Sequence, residues 1–260
     1  MKQVKDFILT GNRTLPSGCH LMTFVPADGA KLPAIEPGQF VQVKVDNSPK
    51  AFLRRPISVC DVRYETELVL FVKPQGEGTR CLVELPENSV VNIVLPLGRG
   101  FSCDECNGQK GLLVGGGVGA APLVALCKNL AAGGADVTVA IGGRSRRDVA
   151  GVDVLYKPYA SKVLVATDDG SCGHKGVVTS LPGFDEHYDR IYCCGPTPMM
   201  KAVARIARAK DIWCEVSLEN HMACGIGACL CCVENTSDRG NVCVCTEGPV
   251  FNINRLQSWE

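Results

Sequence analysis

Leu112-Leu113-Val114-Gly115-Gly116-Gly117-Val118-Gly119-Ala120-Ala121-Pro122 changes character twice within a few residues. The apolar run is too short for a helix and reads as a buried strand. Glycines follow, and Pro122 suits the first turn of a helix. A strand, a glycine turn and a helix in that order open a βαβ unit. Such a turn lets backbone amides and a helix N-terminus approach a pyrophosphate. The pattern is looser than G-x-G-x-x-G, and glycines also serve close strand–helix packing. Gly115, Gly116, Gly117, Val118 and Gly119 are therefore candidate dinucleotide contacts that need their context.

That context lies on the C-terminal side. A helix is expected at 121–132, and strands at 137–141, 163–167, 190–194 and 213–218. A second helix is expected at 196–210, with Met199, Val203, Ile206 and Ala207 on one face. Strands alternating with helices predict a Rossmann-like, doubly wound parallel sheet. Cys193-Cys194-Gly195-Pro196 follows one of these strands, at the carboxyl edge where such folds bind ligands. Cys194, Gly195 and Pro196 are candidate nicotinamide contacts. The competing reading is a buried cysteine at a strand end.

On the N-terminal side the period is two. Residues 39–45 place Val41, Val43 and Val45 on one face and Gln42 and Lys44 on the other; 67–73 and 89–95 are similar. Turn signals at Pro37-Gly38, Asn47-Ser48-Pro49, Gly76-Glu77-Gly78 and 97–100 separate such runs. Short strands with regular turns predict an antiparallel barrel. Within it, Arg54-Arg55-Pro56-Ile57-Ser58 precedes Lys73-Pro-Gln-Gly-Glu-Gly-Thr79. Arg55 suits a phosphate, Ser58 a flavin ring edge, and Gly78 and Thr79 offer backbone N–H groups to phosphate. Taken alone, these stretches read as a charged turn and a hairpin loop.

The last forty or so residues hold six cysteines and little regular pattern. Cys224, Cys229 and Cys232 give C-x4-C-x2-C, with Cys245 as a distant fourth. This is the ligand pattern of a plant-type [2Fe–2S] cluster, whose two irons need four thiolates. Gly225 and Gly227 let the loop wrap closely and aim N–H groups at the sulfides. A structural zinc site competes, although zinc knuckles have two C-x2–4-C halves. Cys231 and Cys243 each lie beside a favoured ligand and leave the set open. The fourth cysteine comes too soon for a ferredoxin fold, so a compact loop-rich lobe is expected.

The chain has 260 residues, 46% of them hydrophobic and 21% charged, which sets it among ordinary globular proteins. The expected domains are 1–102 (barrel), 108–214 (Rossmann-like) and 215–260 (cluster lobe). Lys+Arg and Asp+Glu both number 27, a balance that argues against nucleic acid and leaves a protein partner plausible. The most apolar stretch, 111–127, is broken by glycines and shorter than a membrane span. The first fifteen residues contain no apolar signal region. The expected location is the reducing cytoplasm, where sixteen cysteines are ligands, reactive thiols or core residues rather than disulfides.

In combination, Arg-Pro-Ile-Ser, Gly-Glu-Gly-Thr, Gly-Gly-Gly-Val-Gly-Ala-Ala-Pro and Cys-Gly-Pro resemble the ferredoxin–NADP reductase superfamily. The C-terminal cysteine pattern, ending Cys245-Thr-Glu-Gly-Pro-Val-Phe251, narrows the resemblance, which extends over Pro96-Leu-Gly-Arg-Gly-Phe101 and Thr167-Asp-Asp-Gly-Ser171. Over essentially its whole length the chain is similar to electron-transfer subunits of NAD-linked (class 1B) dihydroorotate dehydrogenase. Ile57 stands where an aromatic commonly stacks on flavin in the wider superfamily, and this subfamily tolerates Ile.

The resemblance implies FAD on Arg55, Pro56, Ile57, Ser58, Phe71, Val72, Lys73, Gly78 and Thr79. It implies a [2Fe–2S] cluster on Cys224, Cys229, Cys232 and Cys245, and NAD as dissociable cosubstrate. It also implies an FMN-containing catalytic partner in a heterotetramer of two chains each, converting dihydroorotate to orotate in pyrimidine biosynthesis. Sister readings are subunits of a sulfide dehydrogenase or an NADH-dependent ferredoxin–NADP reductase. A zinc-stabilised binding module is the reading of a different class. Arg144, Arg146 and Arg147 follow the second sheet strand, where arginines can meet an NADP 2′-phosphate, but the favoured reading is a solvated loop, and the resemblance implies NAD. Cys103-Asp-Glu-Cys106 reads as a solvent loop with incidental thiols. His221 reads as a surface histidine.

Overall fold

The computed structural model describes residues 2–46, 50–104, 106–256 and 259. The turn expected at 47–49 and the centre of the 103–106 loop lie outside the described residues. Six strands close an antiparallel barrel in the order β1-β2-β5-β4-β3-β6. They are β1 (Gln3–Thr14), β2 (His20–Pro26), β3 (Phe40–Val43), β4 (Arg55–Arg63), β5 (Glu67–Val72) and β6 (Val90–Leu97). Closure leaves no free edge in this domain. The barrel interior holds Phe7, Leu9, Phe24, Val41, Val43, Leu68, Leu70 and Ile93.

The expected alternation in β3 is present, because Val41 and Val43 face the barrel core while Phe40 joins a different core outside it. The face carrying Gln42 is nonetheless covered, and Gln42 is fully buried. The hairpin loop expected around Gly76–Gly78 is a short helix instead, α1 (Glu77–Val83). Thr79 explains the difference: its Oγ1 accepts from the N–H groups of Gln75 (3.0 Å) and Gly76 (3.1 Å) and closes a helical first turn.

The second sheet has seven strands in the order β10-β9-β8-β7-β11-β12-β15. They are β7 (Lys110–Gly116), β8 (Asp136–Gly143), β9 (Lys162–Thr167), β10 (His174–Lys175), β11 (Arg190–Cys194), β12 (Trp213–Ser217) and β15 (Val250–Asn252). The first six run parallel; five of them are the expected strands, and β10 is an added edge strand. Helix α2 (Ala121–Ala132) follows β7, short α3 (Arg146–Val149) follows β8, and α4 (Thr197–Ala209) lies between β11 and β12. Strand β15 is antiparallel and comes from the cysteine-rich segment. That segment also carries a hairpin, β13 (Val233–Thr236) and β14 (Gly240–Cys243), and a helical turn α5 (Val244–Glu247). The division expected between 214 and 215 falls inside β12.

One core welds the parts together. Phe40 and Leu97 of the barrel, Val114 and Cys193 of the sheet, and Cys232, Val244, Phe251 and Trp259 of the lobe share a single cluster. The glycine-rich motifs serve this junction. A Cβ on Gly98 would lie 2.6 Å from the Gly248 carbonyl, and one on Gly248 would lie 2.3 Å from the Phe251 ring. Arg99 N–H donates to Gly248 O at 2.6 Å. Phe101 then packs edge-on against Tyr192, with ring centroids 5.7 Å apart. On the other face of the sheet, α2 docks on the barrel, with Lys128 Nζ 3.0 Å from the buried Asp61 carboxylate.

Phe251 is 1% exposed at the centre of the weld. We expect Phe251→Ala to lower stability by about 3–5 kcal/mol through lost burial and a residual cavity. Chemical unfolding of the cofactor-loaded chain measures it.

Candidate active site at the junction of barrel, sheet and cysteine lobe

The carboxyl ends of the parallel strands form the working edge. Gly115 of β7, Cys194 of β11 and Ser217 of β12 stand side by side in register. The two turns leaving this edge touch backbone to backbone. A Cβ on Gly119 would lie 2.4 Å from Cys194 O, and one on Gly116 would lie 2.7 Å from the Pro196 ring and the Met199 sulfur. A Cβ on Gly115 would lie 2.9 Å from the Ala120 backbone, so this glycine serves packing of the turn itself. Gly117 has φ +56 and open space around it, so it supplies the left-handed bend.

Two clefts open there. The first, of about 520 Å³, is lined by Arg55, Pro56, Ile57, Ser58, Phe71 and Lys73 of the barrel. Gly78, Thr79, Val118, Gly119, Cys194 and Ser217 also line it. Val72 is the exception among the expected flavin contacts, since its side chain belongs to the barrel interior. A Cβ on Gly78 would lie 2.9 Å from Arg55 Nε, so the glycine leaves room for the guanidinium. The same guanidinium donates to Leu53 O from Nε (3.1 Å) and Nη2 (2.9 Å).

The second cleft, of about 700 Å³, is lined by Gly116, Gly117, Val118, Gly195 and Pro196 from the expected set. Asp148, Asp168 and Met199 join them. Lys73, Gln75, Val118 and Glu219 line both clefts, so the clefts adjoin at these residues. Lys73 Nζ spans the junction to Asp148 Oδ1 at 3.2 Å. Arg144 lies on the second cleft, and its backbone N–H donates to Asp148 Oδ2 at 3.1 Å.

Burial pushes the Cys194 thiol up to about 12, and the neighbouring Glu219 carboxylate pushes the same way. Cys194 is therefore a neutral thiol at the cleft wall. Glu219 is absent from the expected site set, yet a signal for it existed. It follows β12 at the same carboxyl edge whose logic picked out Cys194. His221 also lines the first cleft, although it is exposed.

The cysteine loop sits beside the first cleft through Asn220, His221 and Met222. Its backbone amides face sulfur. Cys224 Sγ accepts from Ile226 N–H (3.5 Å) and Cys229 N–H (3.4 Å). Cys245 Sγ accepts from Gly227 N–H (3.1 Å), and Cys232 Sγ from Cys245 N–H (3.4 Å). Gly225 (φ +69) and Gly227 (φ +87) make the wrap possible, and a Cβ on Gly227 would lie 2.9 Å from Thr246. Cys243 Sγ reaches the Gly227 carbonyl at 3.9 Å, whereas Cys231 is exposed.

Among the described residues, no three His, Cys, Asp or Glu side chains gather into a single-ion site. A two-iron cluster spreads its four thiolates over two metal atoms. Sulfurs held by several N–H donors suit such a cluster, because the donors stabilise thiolate and sulfide charge. Cys103 is separate: it lies against α2, with Asn129 Nδ2 3.5 Å from its sulfur.

A closed barrel with a flavin-sized cleft, an adjoining dinucleotide edge and a cysteine lobe define a ferredoxin reductase-like oxidoreductase with an iron–sulfur module. Residues 219–257 match the family described as the iron-sulfur cluster binding domain of dihydroorotate dehydrogenase B. The chain is 38% identical over 218 residues to the dihydroorotate dehydrogenase B (NAD(+)) electron transfer subunit of Clostridium perfringens, covering 84% of this chain and 85% of that one. To the Bacillus velezensis subunit of the same name it is 40% identical over 226 residues, covering 85% and 87%. The chain belongs to this family of electron transfer subunits.

Among solved structures it superposes on an NADH-dependent reduced ferredoxin–NADP oxidoreductase with TM-score 0.83 and 28% identity, covering 96% of this chain and 89% of that one. Phthalate dioxygenase reductase shares the fold at TM-score 0.68 and 18% identity, covering 90% and 87%.

The two thiols at the edges of the site differ in ionisation. Backbone N–H donors, Ile226 first, hold Cys224 down to about 6, whereas Cys194 stands near 12. Thiolate is the nucleophile. At pH 7, iodoacetamide is expected to alkylate Cys224 in iron-free chain and to leave Cys194 unmodified. Below pH 6 the Cys224 rate should fall about tenfold per pH unit, as the thiolate is protonated. Peptide mass spectrometry reads both.

Proposed function

We propose that this chain carries electrons from a dihydroorotate-oxidising catalytic subunit to NAD+, through a [2Fe–2S] cluster and FAD. The observation that carries this reading is the adjacency of three sites on one edge. The barrel cleft and the dinucleotide cleft adjoin at Lys73, Gln75, Val118 and Glu219, and the cysteine loop borders the barrel cleft. When bound, the cluster exchanges single electrons and the flavin converts that count into the hydride that nicotinamide carries.

The chain's own residues bind and orient. Arg55, Gly78 and Thr79 hold the FAD phosphates, while Pro56, Ile57, Ser58, Phe71 and Lys73 line its ring and stem. Val72 contributes backbone alone. Gly116, Gly117, Val118, Gly195 and Pro196 receive the dinucleotide, and Gly115 keeps their turn closed. Gly119 brings that turn against Cys194, whose neutral thiol gives the barrel cleft an uncharged wall where a nicotinamide would meet the flavin. Cys224, Cys229, Cys232 and Cys245 ligate the cluster. No substrate acid or base is required of this chain, because dihydroorotate is oxidised on the partner.

Being an electron transfer subunit, the chain works with a catalytic subunit. We assign that subunit FMN, a two-plus-two assembly and a cytoplasmic setting. Among the described residues no helix is long and apolar enough to cross a membrane. The superposition on an NADH-dependent ferredoxin–NADP oxidoreductase supports a second reading, in which the electron donor differs.

Anaerobically purified chain is expected to carry about one FAD and two irons, with flavin bands over broad iron–sulfur absorption. NADH should bleach the flavin directly, whereas dihydroorotate should do so only with the catalytic subunit present. A colourless, zinc-containing chain would overturn the assignment. Bleaching by reduced ferredoxin and not by the dihydroorotate-reduced partner would select the second reading.

Arg55→Ala removes charge-assisted contacts worth about 1.5–3 kcal/mol. FAD affinity should fall by about 10- to 150-fold, measured by equilibrium titration of the apoprotein.

A further inference from the structure

Gln42 is fully buried, and neither end of its carboxamide has a hydrogen-bond partner. Among the described residues it is the one side chain with two separate buried polar atoms that both lack a partner. Buried amides in folded proteins are normally paired, so an orphaned one asks for a partner. Its surroundings identify where that partner lies. Gln42 leaves β3 on the face opposite Val41 and Val43, away from the barrel interior. A Cβ on Gly225 would come within 2.8 Å of both its Cγ and its Nε2, so the carboxamide lies against the backbone of the cysteine loop.

Gly225 directly follows Cys224, whose sulfur already accepts two backbone hydrogen bonds. On its other side Gln42 pairs in register with Pro56, inside the Arg55–Ser58 stretch. One residue therefore touches both the flavin-facing strand and the turn that carries the first cluster cysteine.

We propose that Gln42 is a positioning residue of the cluster: its Nε2 donates a hydrogen bond to the sulfur cage at the Cys224–Gly225 turn when the cluster is bound. The proposal rests on the [2Fe–2S] reading given above. The reasoning is electrostatic. Reduction adds negative charge to the cluster and its sulfurs, so an N–H donor stabilises the reduced form more than the oxidised one and raises the potential. Backbone donors do this from within the loop. Gln42 does it from another domain, which also fixes the cage relative to the flavin strand. Gly225 is glycine for the same reason, since a side chain there would displace the carboxamide.

The test uses full-length chain, purified anaerobically with FAD and cluster. Gln42→Met keeps the length and apolar stem but has no donor. EPR-monitored redox titration should give a lower cluster potential in Gln42→Met, with the flavin potential unchanged and the cluster g-values shifted. In parallel, wild-type chain labelled with side-chain 15N-glutamine should show a weak 15N hyperfine coupling to the reduced cluster, absent from Gln42→Met. Equal potentials in the two proteins, or a labelled wild type without that coupling, would overturn the proposal. If Gln42→Met fails to hold its cluster, the labelled wild type decides alone. Wild type that lacks iron and sulfide would overturn the cluster reading itself, which is a different failure from a wild type that holds the cluster but shows no Gln42 coupling.

Discussion

The antiparallel pairing of Glu215, Val216 and Ser217 with Asn252, Phe251 and Val250 is the constraint on which the site depends. It ties the chain beyond the cysteines to the strand beside Cys194. Leu218 N–H then donates to Pro249 O at 2.9 Å and extends the tie past the strand end. The cysteine loop lies between these two anchored points, so it is held at the carboxyl edge of the sheet. Without the pairing, a loop with six cysteines and little core of its own would have no fixed place relative to the clefts.

Small residues then let the three parts approach. Gly98 and Gly248 bring the barrel exit against the lobe, and Gly119 brings the dinucleotide turn against Cys194. A Cβ on Gly98 or Gly119 would meet backbone, and one on Gly248 would meet the Phe251 ring, so any side chain there would force the parts apart. Electron and hydride transfer both depend on closeness, which is the physical reason these turns carry no side chains. Ion pairs have a lesser share. Lys128 with the buried Asp61 and Lys73 with Asp148 orient the domains, but the shared apolar core around Phe40, Val114, Val244 and Phe251 carries most of the burial.

Much of the architecture was legible because its signals are local. Helix α2, strand β11 and the parallel strands follow from short apolar runs, Gly turns and Pro122, which act over a few residues. The cysteine spacing is likewise local, and the loop places N–H groups on Cys224, Cys232 and Cys245 as its glycines suggested. Helix α1 is not legible in the sequence because its decisive contact, the Thr79 hydroxyl closing onto Gln75 and Gly76, competes with a turn signal of two glycines. Strand β15 was hidden because three residues carry no period, and their pairing partner is more than thirty positions away.

By itself the sequence determined the barrel, the alternation of strand and helix in the parallel sheet, the cysteine spacing, and the glycines that a close-packed junction requires. These follow from periodicity, steric freedom and ligand chemistry, all of which act along the chain. Tertiary structure alone decided that β15 completes the sheet, that Val72 faces the barrel interior, and that Glu219 stands where two clefts meet. It also decided that Gln42 is buried against Gly225. Each of these is a contact between segments distant in sequence, and burial of a polar residue under another domain leaves no trace in the pattern around it.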